Sequence, residues 1–163
     1  MIPEHDPQAT AALVAVQRLQ AAYGDAVTRR AWDEVVALFE PDATVHIDTQ
    51  TRDPFTLEGA GVIAGFVEQS LDQFAFFEFA ILNSVVDLGP GDEATGRVHL
   101  CEVRRHHDGS WTQAYGLYQD RYLRRDGAWR IAARRYSSLA RHVLTGIDQV
   151  ESFPLPPLDA PAR

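Results

Sequence analysis

The chain has no lysine and a single cysteine, Cys101. One cysteine excludes an intrachain disulfide, and the paired-cysteine patterns that hold structural zinc are missing. All 15 basic side chains are therefore arginines, set against 23 acids, for a net charge of −8. Eight of the arginines fall in four adjacent pairs: Arg29/Arg30, Arg104/Arg105, Arg124/Arg125 and Arg134/Arg135. No segment gathers enough of them to hold a phosphate backbone, and the overall sign opposes one, so no nucleic-acid partner is expected. The first ten residues, MIPEHDPQAT, lack the basic and apolar regions of a secretory leader, and no apolar run has membrane-spanning length. The expectation is a cytoplasmic protein with no membrane partner. Serine-elbow, phosphate-loop and dinucleotide glycine motifs are missing too, which removes support for serine acyl transfer and nucleotide chemistry.

What remains is an ordinary globular composition, 45% hydrophobic over 163 residues, enough for one domain with a real core. Asp6-Pro7 is a helix start, a capping residue followed by proline at the first helical position. Ala12, Val16, Leu19, Tyr23 and Ala26 then recur at spacings of three and four, one apolar stripe. A second short helix carries Trp32, Val35, Val36, Leu38 and Phe39 and is expected to stop at Pro41. The segment DATVHID reads as a strand, FTL as a short one, and AGVIAGFVEQSLDQF as a third helix. After Gln73 the periodicity becomes extended, in four long runs broken by GPGD, DGS and DGA, which are hairpin signals. Helices first and an antiparallel meander afterwards predict an α+β fold, helices packed on one face of a curved sheet. A single domain over 1–145 is expected, followed by a proline-rich tail, 146–163, lying over the surface or a neighbouring subunit.

Strand alternation sorts the side chains that could carry chemistry. From 94 to 104, one face reads Ala94, Gly96, Val98, Leu100, Glu102, Arg104, and its apolar start should look towards the helices. Glu102 then sits at the end of an apolar row, either as a desolvated general acid or base or as an ion-pair partner of a nearby arginine. His46 and His99 fall out of phase with their apolar neighbours and are expected on the outer face of the sheet or in a subunit contact. His106 and His107 precede a turn and are expected in solvent. No HxH or HxxxH spacing supports a metal site, so none is expected. Tyr118 follows Ala114 and Gly116 in one row. These small residues either leave room for a ligand beneath the sheet or serve core packing. Asp120, next in that row, is expected to pair with the arginines at the strand end, and Tyr23 could reach the same space from the first helix.

Three segments, LQAAYGDAVTRRAWDEVVALFEPDATVHID, DEATGRVHL and YQDRYLRRDGAWRIAARR, resemble SnoaL-like proteins of the nuclear-transport-factor-two-like superfamily, in the scytalone and bile acid dehydratase branch. The resemblance implies a cone-shaped α+β barrel with a deep apolar pocket and cofactor-free elimination, isomerisation or cyclisation. It also implies a site built from a tyrosine and an aspartate on the first helix, a histidine on the first long strand and an acid on the next. Tyr23 matches the tyrosine and Glu102 the acid, but the aspartate position holds Thr28 and the histidine position Phe79. A further tyrosine of the family falls at Ile47, and the last-strand arginine at Ser138, with Arg134, Arg135 and Arg141 nearby. An Asp–His base is therefore not available.

Glu102 and Tyr23 are thus the candidate catalytic residues. Thr28, Tyr118, Phe79, Ile47, Val98, Leu100 and Ser138 are the candidate substrate-binding set. The reading is a cofactor-independent lyase, isomerase or cyclase for a hydrophobic cyclic molecule. Its alternative is a non-catalytic small-ligand binding or assembly module with a decayed site. Pairing into a homodimer or higher homo-oligomer is expected through outer-face residues such as Arg97, His99, Tyr115 and Gln119.

Overall fold

A computed structural model of the chain describes residues 6–144. The first helix, α1 (Pro7–Arg29), begins where Asp6 accepts hydrogen bonds from the backbone N–H groups of Gln8 (2.9 Å) and Ala9 (3.2 Å). It ends at Arg30, which is left-handed at φ 59° and bonds back to the last turn together with Ala31. A non-glycine residue there costs about 1–2 kcal/mol. The Arg30 guanidinium offsets this by donating to the carbonyls of Leu71 (3.1 Å) and Phe74 (2.7 Å), which closes the end of the third helix.

The short helix α2 (Trp32–Ala37) stops before the expected point. Leu38 terminates it, and Phe39 opens the strand β1 (Phe39–Asp48), so Pro41 lies inside a strand rather than at a helix end. Tertiary pairing overrides the local apolar pattern. Phe39 aligns with Ile131, whose N–H donates to Leu38 O (2.9 Å). Pro41 is tolerated because the register shifts between Phe39 and Thr44. Next come β2 (Phe55–Glu58) and α3 (Ala60–Leu71), then the long strands β3 (Phe74–Leu88), β4 (Glu93–His106), β5 (Trp111–Arg125) and β6 (Ala128–Leu144). The expected tail, 146–163, lies outside the described residues.

The six strands form one sheet in the order β2-β1-β6-β5-β4-β3. Every pairing is antiparallel except β1 with β6, which is parallel and joins the N-terminal strands to the meander. Register shifts interrupt β3 against β4 and β5 against β6. Such bulges bend long strands, and the sheet wraps around α1 and α3 as a curved, open cone. Helix α1 lies mainly against β3, and α3 against β1 and α2. Gly24 permits the first of these contacts, since a Cβ there would sit 3.0 Å from the Phe79 ring.

The inner face of β4 carries the expected row, with Ala94, Val98 and Leu100 buried. The space beside Gly116 is not left open. The Tyr136 ring occupies it, and a Cβ on Gly116 would lie 2.4 Å from Tyr136 Cε2.

Candidate active site

Between α1, α3 and the concave face of the sheet lies a cavity of about 380 Å³. Much of its wall is apolar, including Val27, Phe39, Val45, Ile47, Leu57, Ile63, Phe66, Phe77 and Phe79. Its polar groups divide between a buried end and an open end.

At the buried end, Tyr23 packs edge-on against Phe39, Phe79 and Tyr118, with ring centroids 5.9, 5.7 and 6.0 Å away. Arg134 enters from β6, only 5% exposed. Its guanidinium carbon lies 3.8 Å from the Tyr118 ring centroid and 4.3 Å from that of Tyr23, within cation–π range of both. Two of its nitrogens hold the carboxylate of Asp120, Nε to Oδ1 at 2.8 Å and Nη2 to Oδ2 at 2.7 Å. The Asp120 side chain has no exposed surface. The Tyr122 hydroxyl donates to Asp120 Oδ2 (2.8 Å) and accepts from Gln20 Nε2 (2.8 Å). Gln20 Oε1 in turn accepts from Ser84 (2.5 Å). Asp120 is thus an arginine partner as expected, but in the core rather than at a strand end.

Burial by itself lowers the Arg134 pKa. The Asp120 charge more than offsets this, so the guanidinium stays cationic. Burial, with Asp120 second, raises the Tyr122 pKa. Burial also raises those of Tyr23, Tyr118 and Tyr136. The neighbouring Tyr23 and Tyr118 hydroxyls also act on each other, which favours ionisation of the first and opposes that of the second. These phenols are neutral hydrogen-bond donors near pH 7. Among the described residues, Arg134 Nη1 is buried without a hydrogen-bond partner.

The open end carries Glu102, Arg104, His106 and Thr112 from the sheet, with Arg52 and Arg141 at the rim. Glu102, 13% exposed in its side chain, accepts from Arg104 Nε (2.9 Å) and Nη2 on the same oxygen, Oε2. It therefore both pairs with an arginine and faces the cavity. Its charge raises the pKa values of Tyr23, Tyr118 and Tyr136 alike, although burial is the larger cause in each.

Of the residues singled out from sequence, the cavity brings together Tyr23, Ile47, Phe79, Glu102 and Tyr118. Thr28 is not in its wall; its hydroxyl accepts from the backbone N–H of Phe79 (3.1 Å) and ties α1 to β3. Val98 and Leu100 are fully buried in the core behind the wall. Ser138 pairs with Gly116 in the register of β5 and β6 and does not line the cavity. His46 faces outward to Thr56 (3.1 Å), and His99 is exposed on the outer face.

His106 departs from expectation. It lines the cavity, with its ring 4.9 Å from that of Phe74 and Nε2 3.3 Å from the Thr112 hydroxyl. The signal was present, because the β4 row of even numbers simply continues from Arg104 to His106. His107 is exposed, with Nε2 2.9 Å from Asp72 O. Arg134 was placed no closer than the neighbourhood of the site. Among the described residues, no cluster of three or more histidine, cysteine or acidic side chains could hold a metal, and no helix is long and apolar enough to cross a membrane.

Solved structures share this arrangement of helices and sheet. The chain is similar to LinA, with a TM-score of 0.77 and 21% identity over 90% of this chain and 96% of that one. It is also similar to the hexachlorocyclohexane dehydrochlorinase LinA-type3 of Novosphingobium barchaimii, with a TM-score of 0.75 and 17% identity over 88% and 97%. A third likeness is to a candidate scytalone dehydratase of Novosphingobium aromaticivorans, with a TM-score of 0.73 and 20% identity over 93% and 96%. At these identities the likeness establishes the fold alone. A search of curated proteins finds no match. The SnoaL-like domain, however, matches residues 8–135, most of the chain, and the protein belongs to the SnoaL-like domain family.

Proposed function

We propose that the protein is a cofactor-independent lyase or isomerase that abstracts a proton from a hydrophobic cyclic small molecule. One observation carries this reading. Among the described residues, the cavity wall has a single carboxylate, Glu102, and at its buried end an arginine with an unpartnered donor, Arg134 Nη1. An acceptor for a proton and a donor for the charge left behind thus share one apolar space.

In this mechanism Glu102 takes a proton from carbon next to a carbonyl or leaving group. The electron pair moves towards oxygen, or expels the leaving group. Arg134 Nη1 and one hydroxyl of the Tyr23–Tyr118 pair donate to the developing anion, where a low-dielectric surround strengthens each bond. Returning the proton from Glu102 to a different carbon gives isomerisation; loss of the leaving group gives elimination. Arg104 holds the carboxylate in place. Phe79, Ile47 and their apolar neighbours exclude water, and Thr28 supports Phe79 from behind.

The Thr28–Phe79 contact favours a second reading, that of a binding module. The hydroxyl that replaces an aspartate is spent on the backbone, and no imidazole stands beside it. Deuterium exchange separates the two readings without a known substrate. Apolar cyclic ketones are incubated with the protein in D2O, and loss of the α-proton signal is followed by NMR. Catalysed exchange that falls about 100-fold or more in Glu102→Gln supports the enzyme. Binding without exchange, or unchanged exchange in that variant, supports the module.

A further inference from the structure

The sign of the cavity opposes the sign of the chain. The protein carries −8 overall, yet among the described residues the wall of the cavity presents four arginines, Arg52, Arg104, Arg134 and Arg141, against the one acid Glu102. Arg134 is matched by Asp120 behind it and Arg104 by Glu102 beside it. Arg52 and Arg141 have no ion pair among the described residues. Among the described residues the arginines and the acid of the open end therefore amount to three cations and one anion, 3 − 1 = +2.

Neither rim arginine is a casual surface side chain. The Arg52 guanidinium lies 4.2 Å above the Phe55 ring, and Phe55 packs at 5.4 Å on Phe66, which lines the cavity. This aromatic platform orients the charge without neutralising it. Arg141 faces inward because the register of β5 against β6 jumps between Tyr115 and Gly116, which pair with Ala140 and Ser138. The skipped residue, Leu139, moves the following side chains to the opposite phase. Arg141 thereby pairs with Ala114 and is felt electrostatically by Tyr136 inside the cavity.

We infer that the ligand is an apolar cyclic anion whose carboxylate, or an equivalent acidic group, is held between Arg52 and Arg141 while its ring system fills the apolar wall. This names the ligand class of the cavity and rests on the proposed function only for the use of that cavity as a ligand site. The group to be transformed then lies at the far end of the molecule, beside Arg134, and the anionic group serves recognition. Ligand entry along an apolar channel with a cationic rim also raises the encounter rate of an acid over that of a neutral analogue.

Calorimetric titration with a matched pair of probes, 2-naphthylacetate and 2-naphthylacetamide, tests this. At low salt the acid should bind about tenfold tighter than the amide, and the gap should shrink at 0.5 M salt. Arg52→Gln and Arg141→Gln should each weaken the acid about fivefold and leave the amide unchanged. Arg141→Glu should weaken the acid further, while Glu102→Gln should tighten it. Equal affinity for acid and amide, equal weakening of both by the arginine variants, or binding of neither probe overturns the inference. Failure of the catalytic reading looks different. Glu102→Gln that binds the acid more tightly yet exchanges protons like the unmodified protein removes Glu102 as base and leaves the anion site standing. Lost exchange with equal acid and amide affinity does the reverse.

Discussion

The two ends of the cavity manage positive charge in opposite ways. At the buried end, Arg134 is held by Asp120 through two hydrogen bonds and lies within cation–π range of two phenol rings. Asp120 is in turn fixed by Tyr122, Gln20 and Ser84. At the open end, Arg52 and Arg141 face the cavity with no ion pair among the described residues. A buried charge without a partner costs several kcal/mol, so the interior must satisfy its own arginine almost completely. An exposed charge is satisfied by water and can remain available to a ligand. The buried end is therefore tied to the stability of the fold, and the open end is free to be tuned for what binds.

The largest effect should come from breaking the buried pair. Asp120→Asn removes the counter-charge but leaves Arg134 in place, and should cost about 3–5 kcal/mol. In a chain of this length that lowers the melting temperature on the order of 10 °C, read by thermal denaturation. Replacing both partners with apolar residues, Asp120→Leu with Arg134→Met, should recover part of the loss, because no orphan charge remains. If Asp120→Asn melts within a degree or two of the unmodified protein, the contrast between the ends collapses.

A smaller effect belongs to the phenols. Tyr23, Tyr118, Tyr122 and Tyr136 have folded pKa values raised above the ordinary 10.0, burial being the first cause in each. A raised folded value means that the native state holds its proton more tightly than the unfolded chain. The resulting stability is fully present below pH 10 and is lost as pH climbs beyond it. Tyrosinate absorbance of these four should therefore rise together with cooperative unfolding. Non-cooperative ionisation in a still-folded protein would show that the buried end admits water.

How much of this was legible in the sequence depends on whether alternation survives along each strand. In β4 it does, and the even-numbered row that yields Glu102 continues unbroken to Arg104 and His106, both in the cavity wall. In β6 it does not. Tyr122 pairs with Ile131 but Arg121 with Ala133, so Ala132 is skipped. Strict period-two counting from Ile131 would turn Arg135 inward, whereas the bulge turns Arg134 inward. A second skip at Leu139 does the same for Arg141. Bulges are set by the curvature of the whole sheet rather than by the residues at the bulge, and one shifted residue flips every side chain beyond it. Phe39 shows the same limit, because a parallel partner about ninety residues away takes it from α2 into β1. The helices, hairpin turns and α+β layering were readable because caps, apolar stripes and Asp-Gly turns are local. The paired floor of the cavity was not, because it joins side chains of α1, β5 and β6.

The smallest effect should be the loss of both rim arginines. Arg52 and Arg141 each lack a carboxylate partner among the described residues, so the double variant Arg52→Gln/Arg141→Gln removes mutual repulsion rather than an attraction. Arg52 does give up its position over Phe55, worth about 0.5–1 kcal/mol at an exposed site, and the two terms act in opposite directions. The net change in unfolding free energy should lie within about 0.5 kcal/mol of zero, read as an unchanged urea midpoint and slope. The same variant should lose its preference for an acidic over a neutral ligand. A loss above about 1 kcal/mol would assign these side chains to the fold, like Arg134, and the division between a structural and a recognising end would fail at the rim. An unchanged midpoint with lost acid preference would leave the two ends separated by function as well as by depth.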